Sequence, residues 1–266
     1  MFLVFICPKF KAYICFLIHR YRMPTKWFQT WFNSPYYHIL YHQRNDEEAE
    51  FFMDNLCAFL KPGANARLFD IACGRGRHAI YLSKKGYDVT GIDLSQANIR
   101  FAKDFENEQL HFFVHDMRHL FYINYFDFAF NLFTSFGYFD KNADHLKALN
   151  MFHKSLKPEG ILVLDYFNTT KIKQQAAIQE LKSIEGMDFH IHKQISGNKI
   201  LKSIEFEHQG KQFGFKEEVQ AFSLADFKEL FTKAKFEIVH LFGDYQLNPF
   251  KEAQSDRLIF ICKKIA

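Results

Sequence analysis

The tightest constraint on this chain lies in residues 68–76, Leu-Phe-Asp-Ile-Ala-Cys-Gly-Arg-Gly, where an apolar run ends on two glycines one residue apart. An amphipathic segment, Arg77 to Gly86, follows at once, so the stretch is predicted to be a strand, a tight turn and a helix. Glycine suits such a turn because a backbone without Cβ takes positive φ and lets a ligand lie against the main chain. A second apolar run, Tyr87-Asp88-Val89-Thr90-Gly91-Ile92-Asp93, closes on an acid 23 positions after Asp70. That spacing suits one parallel strand–helix–strand unit. It leaves Asp93 at the carboxyl end of the neighbouring strand, where carboxylates bind ribose hydroxyls.

The dinucleotide fingerprint G-x-G-x-x-G is missed, because Ala79 stands where its third glycine belongs. No Lys-Ser/Thr follows for a phosphate loop either. What Asp70-Ile71-Ala72-Cys73-Gly74-Arg75-Gly76 resembles is motif I of the class I S-adenosylmethionine-dependent methyltransferases, acid-x-Gly-x-Gly-x-Gly, with Ala72 at the first glycine. The resemblance implies an α/β fold: a doubly wound, seven-stranded, mostly parallel Rossmann-like sheet. It implies S-adenosylmethionine as cofactor, cradled by Asp70, Ala72, Cys73, Gly74 and Gly76, with Asp93 and Leu94 at the ribose. After the predicted strand Leu110–Val114, Asp116 matches the family's acid for the adenine amino group and Met117 the residue against the ring. A surface turn acid is the plainer reading of Asp116.

The run Tyr125 to Asn131 reads as a buried strand leading into Leu132-Phe133-Thr134-Ser135-Phe136-Gly137-Tyr138-Phe139. In a doubly wound sheet this lies across from the glycine turn, at the strand ends where ligands bind. Asn131 and Leu132 are expected to offer backbone to the methionine part of the cofactor, and Thr134, Phe136 and Tyr138 to floor an acceptor pocket. Asn131-Leu132-Phe133-Thr134 is not the Asn/Asp-Pro-Pro-aromatic pattern of methyltransferases that act on exocyclic or amide nitrogens. Adenine, cytosine and glutamine acceptors lose ground accordingly.

A chain of 266 residues with 48% apolar content holds one large α/β domain, and its 34 phenylalanines are read as core filling. The five cysteines are scattered without a C-x-x-C or a histidine at metal spacing, which predicts reduced thiols, no metal site and a cytoplasmic protein. The net charge of +4 resides in Lys9, Lys11, Arg20 and Arg22, so the rest of the chain is neutral and nothing in it points to nucleic acid.

Residues 1–22 hold two apolar runs too short to span a bilayer and no signal-peptide pattern. They are read as a mis-called leader before a start at Met23, a membrane-surface anchor being the alternative. The domain is then 23–266. Residues 26–44 are an aromatic arm, either packed on the domain or serving as a lid with Tyr37, Tyr41 and Arg44 toward the cofactor's amino-acid end. Many members of the resembled family use their N-terminal segment in that second way. Asn45 caps a helix to about Leu60.

Further on, Asn142 to Leu156 carries a helical apolar stripe and Ile161 to Tyr166 a fifth strand. Residues 186–221 change period to alternation, predicting two or three antiparallel strands inserted after strand five, as an acceptor wall or as an exposed sheet for homodimerisation. Ser223 caps a helix with Asp226 at its third position and Phe222 stapled to Phe227. Phe236–Phe242 and Arg257–Cys262 form a terminal hairpin.

The expected function is methyl transfer from S-adenosylmethionine to a small molecule, with no membrane span. In-line displacement needs no covalent nucleophile, and no single catalytic residue stands out. His38, His42, His115, His190, His192 and His208 are the candidate bases, should the acceptor have to lose a proton. A nicotinamide-dependent oxidoreductase and a non-catalytic scaffold on the same fold are the rival readings.

Overall fold

The structure, a computed structural model, describes residues 27–41, 46–174 and 177–266. The leader at 1–22, the start at Met23, the cap at Asn45, His42 and the site residue Arg44 lie outside the described residues.

The anticipated strand–turn–helix forms β1 (Arg67–Ile71) and α4 (Arg77–Lys84), and β2 (Asp88–Asp93) pairs parallel to β1. Three short or longer helices precede them: α1 (Trp27–Phe32), α2 (Pro35–Leu40) and α3 (Asp46–Leu60). Then come α5 (Gln96–Ala102), β3 (Leu110–Val114), β4 (Phe126–Asn131), α6 (Asn142–Ser155) and β5 (Leu156–Phe167). After the short α7 (Thr169–Lys173), β6 (Ile178–Ile184), β7 (Met187–Ser196), β8 (Lys199–His208) and β9 (Lys211–Gln220) form a separate sheet. The chain closes with α8 (Leu224–Lys233), β10 (Phe236–Phe242) and β11 (Arg257–Lys264).

The main sheet has seven strands in the order β10-β11-β5-β4-β1-β2-β3. Its interior is parallel, and β11 runs antiparallel to both β5 and β10. Order reverses between β1 and β4, which places the ends of both strands beside a crevice. The central strands are apolar almost throughout: Leu68, Phe69, Ile71, Leu162, Val163 and Leu164 are at most 2% exposed, because helices cover both faces.

Two glycines are fixed by one ring. A Cβ built on Gly76, at φ +83°, would sit 2.5 Å from Phe112, and one on Gly91 would sit 2.6 Å from it. Gly76→Ala therefore combines a left-handed strain with an overpacked contact, and a loss of about 2 kcal/mol is expected in urea unfolding.

The second sheet is larger than the sequence suggests, with four antiparallel strands starting at Ile178 instead of two or three starting near 186. Strand β6 escapes detection because it is an edge strand, mostly exposed, and its Gln-Glu-Leu-Lys-Ser interior carries almost no apolar alternation. The fifth strand likewise begins earlier, at Leu156. The Lys157-Pro158-Glu159-Gly160 turn is absorbed as a register shift between Phe126 and Phe128, with Glu159 at φ +66°. The anticipated capping box at Ser223 and Asp226 is present, and the Phe222 and Phe227 rings meet at 5.5 Å.

Helices α1 and α2 lie on the distal half of one face of the second sheet. Trp31 is fully buried against Phe215, with centroids 4.4 Å apart, and Tyr36 packs on Phe206 at 4.7 Å. The proximal half of that face is left for a cavity.

Candidate active site

The cavity, about 1030 Å³, opens at the carboxyl ends of β1, β2 and β4. Tyr37, His38 and Tyr41 of the arm roof it, and Ile191, Ile200, Lys202, Glu217 and Val219 of the second sheet wall it. Asp70, Ala72–Arg75, Asp93, Leu94, Asp116, Met117, Leu132, Thr134 and Tyr138, all predicted site positions save Arg75, lie on its surface.

At the glycine turn, Gly74 is at φ +58° and a Cβ there would meet nothing within 4 Å, so the backbone borders open space. Ala72 is itself left-handed at φ +61°, which explains why the family pattern prefers glycine at that point. The Gly74 N–H donates to Asp93 Oδ2 at 3.0 Å, and the Ser95 N–H to Asp93 Oδ1 at 2.7 Å. These bonds aim the Asp93 carboxylate across the turn. Burial raises its pKa, while the same two bonds act to lower it.

Asp70 is 2% exposed and its Oδ2 has no hydrogen-bond partner. Burial first, and then the charge of Asp93, push its pKa up to about 7. The unfolded value is 3.8, so the folded state holds the proton more tightly between those pH values. Stability from this group is full below pH ~4 and is lost as pH rises toward 7, where the fold must carry an unpaired buried charge. The melting temperature of the ligand-free protein is expected to fall across that window, and less steeply in Asp70→Asn. An unaltered slope in the variant would assign the titration elsewhere.

On the far side of β2, Asp116 is held by the fork of Arg118: Nε to Oδ1 at 3.0 Å and Nη2 to Oδ2 at 2.6 Å. Burial would raise its pKa, but the Arg118 side-chain and backbone bonds outweigh it and hold the carboxyl low. Arg118 in turn lies over the Phe139 ring at 4.8 Å. This turn is therefore anchored rather than a free surface turn. Cys73 is buried, with burial raising its thiol pKa, and its N–H donates to Ile92 O at 2.9 Å. Asn131 is fully buried and donates Nδ2 to Ile71 O at 3.0 Å, tying β4 to β1.

The opposite end, beyond β4 and β5, contains what the sequence did not reveal. Phe133 and Thr134 are both left-handed, at φ +54° and +61°, which is unusual for an aromatic followed by a β-branched residue. Asp165, fully buried, holds them: the Phe133 N–H donates to its Oδ2 at 2.7 Å and the Thr134 N–H to its carbonyl at 3.1 Å. Arg257 completes the clamp, donating Nε to Asp165 Oδ1 at 2.7 Å and Nη2 to Thr134 Oγ1 at 3.0 Å. Burial would lower the Arg257 pKa, but the nearby Asp165 outweighs it and the pKa is raised. Tyr138 donates its hydroxyl to Thr134 O at 2.5 Å.

Phe136 departs from expectation. It is fully buried against Phe222, Phe227 and His145 and does not line the cavity, because Gly137, at φ +95°, turns the chain so that Thr134 and Tyr138 face inward instead.

Tyr41 does reach a polar cluster. Trp31 Nε1 and Tyr41 Oη both donate to Glu217 Oε1, at 2.7 and 2.6 Å, and Lys202 contacts both Tyr41 Oη and Glu217. Of the candidate bases among the described residues, only His38 lines the cavity; its Nε2 lies 3.1 Å from Asn98 Oδ1. Burial, with help from Arg75, lowers its pKa to about 4, so its ring is neutral near pH 7. Sequence reasoning missed Arg257, Asp165, Lys202 and Glu217, which are 80 or more positions from the glycine turn and have no motif of their own.

A family model described as "Methyltransferase domain" matches residues 41–241. YqeM of Bacillus subtilis (strain 168), a methyltransferase-type protein, is 28% identical over 208 residues, 74% of this chain and 84% of its own. A glycine/sarcosine N-methyltransferase of Aphanothece halophytica is 34% identical over 139 residues, 49% of each chain. Among solved structures, an S-adenosylmethionine-dependent methyltransferase from Clostridium acetobutylicum superposes with a TM-score of 0.74 at 18% identity, covering 87% of this chain and 96% of that one. The sheet order, the glycine turn and the extent of the family match agree, and the chain belongs to the methyltransferase-domain family.

Proposed function

We propose that the protein transfers the sulfonium methyl of S-adenosylmethionine to a small molecule seated between Thr134, Tyr138 and the second sheet. The observation that carries this reading is the union of the glycine turn with Asp93 through the Gly74 N–H, beside a buried Asp70 oxygen that lacks a partner. A cationic ligand would satisfy that oxygen, and the space beside Gly74 admits one. Asp70, Ala72, Cys73, Gly74 and Gly76 would cradle the cofactor, Asp93 and Leu94 its ribose, and Asp116 and Met117 its base. Asn131 and Leu132 would supply backbone at the methionine part, and Tyr37, Tyr41 and Arg44 would close over it. When bound, the cofactor supplies an electrophilic methyl and leaves as a neutral thioether, which needs no acid.

The chain's own contribution is alignment and exclusion of water. Holding two reactants in register is worth up to about 7–11 kcal/mol in well-oriented systems. The roof of Tyr37, His38 and Tyr41 and the wall of Ile191, Ile200 and Val219 serve that purpose. His38 lies inside the cavity, but its lowered pKa of about 4 and the Nε2–H given to Asn98 Oδ1 make it a weak base, so no general base is assigned. Relatives named for amino-sugar and glycine or sarcosine N-methylation support a small acceptor. We read residues 23–266 as one domain acting in the cytoplasm; among the described residues no helix is long and apolar enough to cross a membrane. Calorimetric titration with S-adenosylmethionine, S-adenosylhomocysteine and NAD tests the reading. One-to-one binding of the first two and none of NAD is expected, and the reverse pattern would overturn it.

A further inference from the structure

We infer that the methyl acceptor carries an oxyanion, a carboxylate or a phosphate, and that Arg257 is the group that receives it. The inference rests on the methyl-transfer reading and deepens it.

The position of Arg257 comes first. The nucleoside-binding acids sit on the β2 and β3 side of the glycine turn, whereas Arg257 opens β11, on the other side of β1 beyond β4 and β5. It lines the cavity at this second end, together with Thr134 and Tyr138.

Its bonding comes second. A guanidinium has five N–H donors in a rigid fork. Nε and Nη2 are committed to Asp165 and Thr134. The hydrogen bonds of the guanidinium to the described residues run from Nε and Nη2 and not from Nη1; its Cζ lies 5.6 Å from the Tyr245 ring centroid, and the side chain is 16% exposed. Asp165 is fully buried behind it, so the fork cannot swing and its unused edge stays presented. An arginine locked on one edge and open on the other, inside a ligand cavity, has the geometry for a planar oxyanion.

The charges near this end are the cations Arg257, Lys193 and Lys202 and the acids Asp165, Glu48, Glu180 and Glu217, so the pull on an anion comes from hydrogen-bond geometry and not from net charge. Glu180 lies 3.3 Å from Lys182, and Glu217 already accepts from Trp31 and Tyr41. Lys193 and Lys202 are direct cross-strand partners between β7 and β8, and Lys202 lies 3.7 Å from Glu217.

The test uses the full-length protein loaded with S-adenosylhomocysteine. Guanidinium ¹H–¹⁵N signals are followed at constant ionic strength during titration with acetate, inorganic phosphate or acetamide as neutral isostere. The Arg257 signal, assigned by its loss in Arg257→Lys, is expected to shift saturably with one of the anions and not with acetamide. The tighter anion identifies the headgroup. Arg257→Lys keeps the charge but loses the fork; it is expected to weaken anion binding at least tenfold while binding S-adenosylhomocysteine within twofold of the parent. A signal unmoved by either anion, equal movement with acetamide, or unchanged anion affinity in the variant overturns the assignment. The wild-type titration decides the matter by itself if the variant fails to fold. Failure of S-adenosylhomocysteine to bind removes the methyl-transfer reading itself, and this inference with it, whereas binding of that molecule without an anion response removes the inference alone.

Discussion

Replacing Asp93 by alanine is expected to weaken S-adenosylmethionine binding by about 2–4 kcal/mol, the scale of two hydroxyl hydrogen bonds removed. The loss arises in two ways. On the proposed reading the carboxylate no longer meets the ribose hydroxyls; in addition the Gly74 and Ser95 N–H groups lose their acceptor, so the glycine turn itself is released. Asp93→Asn keeps one oxygen for these donors and is expected to lose less. Calorimetry on both variants, with circular dichroism to show that the fold persists, checks the ordering. Equal affinity in Asp93→Ala and the parent would place the ribose elsewhere.

The second large effect concerns stability. Asp165→Ala strips a fully buried carboxylate from Arg257, from the Phe133 N–H and, at 3.4 Å, from the Tyr245 hydroxyl. Breaking a buried pair by removing one partner costs about 3–5 kcal/mol, because the other charge is left uncompensated. The left-handed conformations of Phe133 and Thr134 lose their restraint in the same step, so the acceptor end is expected to disorder even in protein that remains folded. The double change Asp165→Leu with Arg257→Met should recover much of the lost unfolding free energy, since it leaves no orphaned charge. Denaturant melts of the two single variants and the double give the coupling directly. Additive losses would show that the two residues do not act as a clamp.

What the chain discloses before folding, and what it withholds, follows from the range over which each signal acts. The glycine turn, the strand ending at Asp93 and the Ser223 capping box are local: glycine at positive φ, an acid at a strand end and a serine before a helix are legible within a few residues. The parallel strands are legible because burial on both faces leaves unbroken apolar runs such as Ile161 to Leu164. Strand β6 is not, because an edge strand needs apolar residues on few of its positions. Arg257 and Glu217 are silent for another reason. Their chemistry exists only once β11 is laid against β5, or the arm against the second sheet, and no spacing in the sequence encodes those meetings. Phe136 is expected in the pocket from its place after the strand end, yet lies in the core, because position along the chain does not locate the bend that Gly137 introduces.

The arm has a kinetic consequence. It is fastened to the second sheet by Trp31 and Tyr41 on Glu217, and to the helix after Asp93 by Ser95 donating to Asn33 and by the His38–Asn98 contact. At about 1 kcal/mol apiece, four such bonds hold the unlatched form to a minor share of molecules, on the order of 0.1%. On the proposed lid reading, ligand traffic waits for that form, and association measured in a stopped-flow instrument is expected to level off at high ligand concentration, at the rate of unlatching.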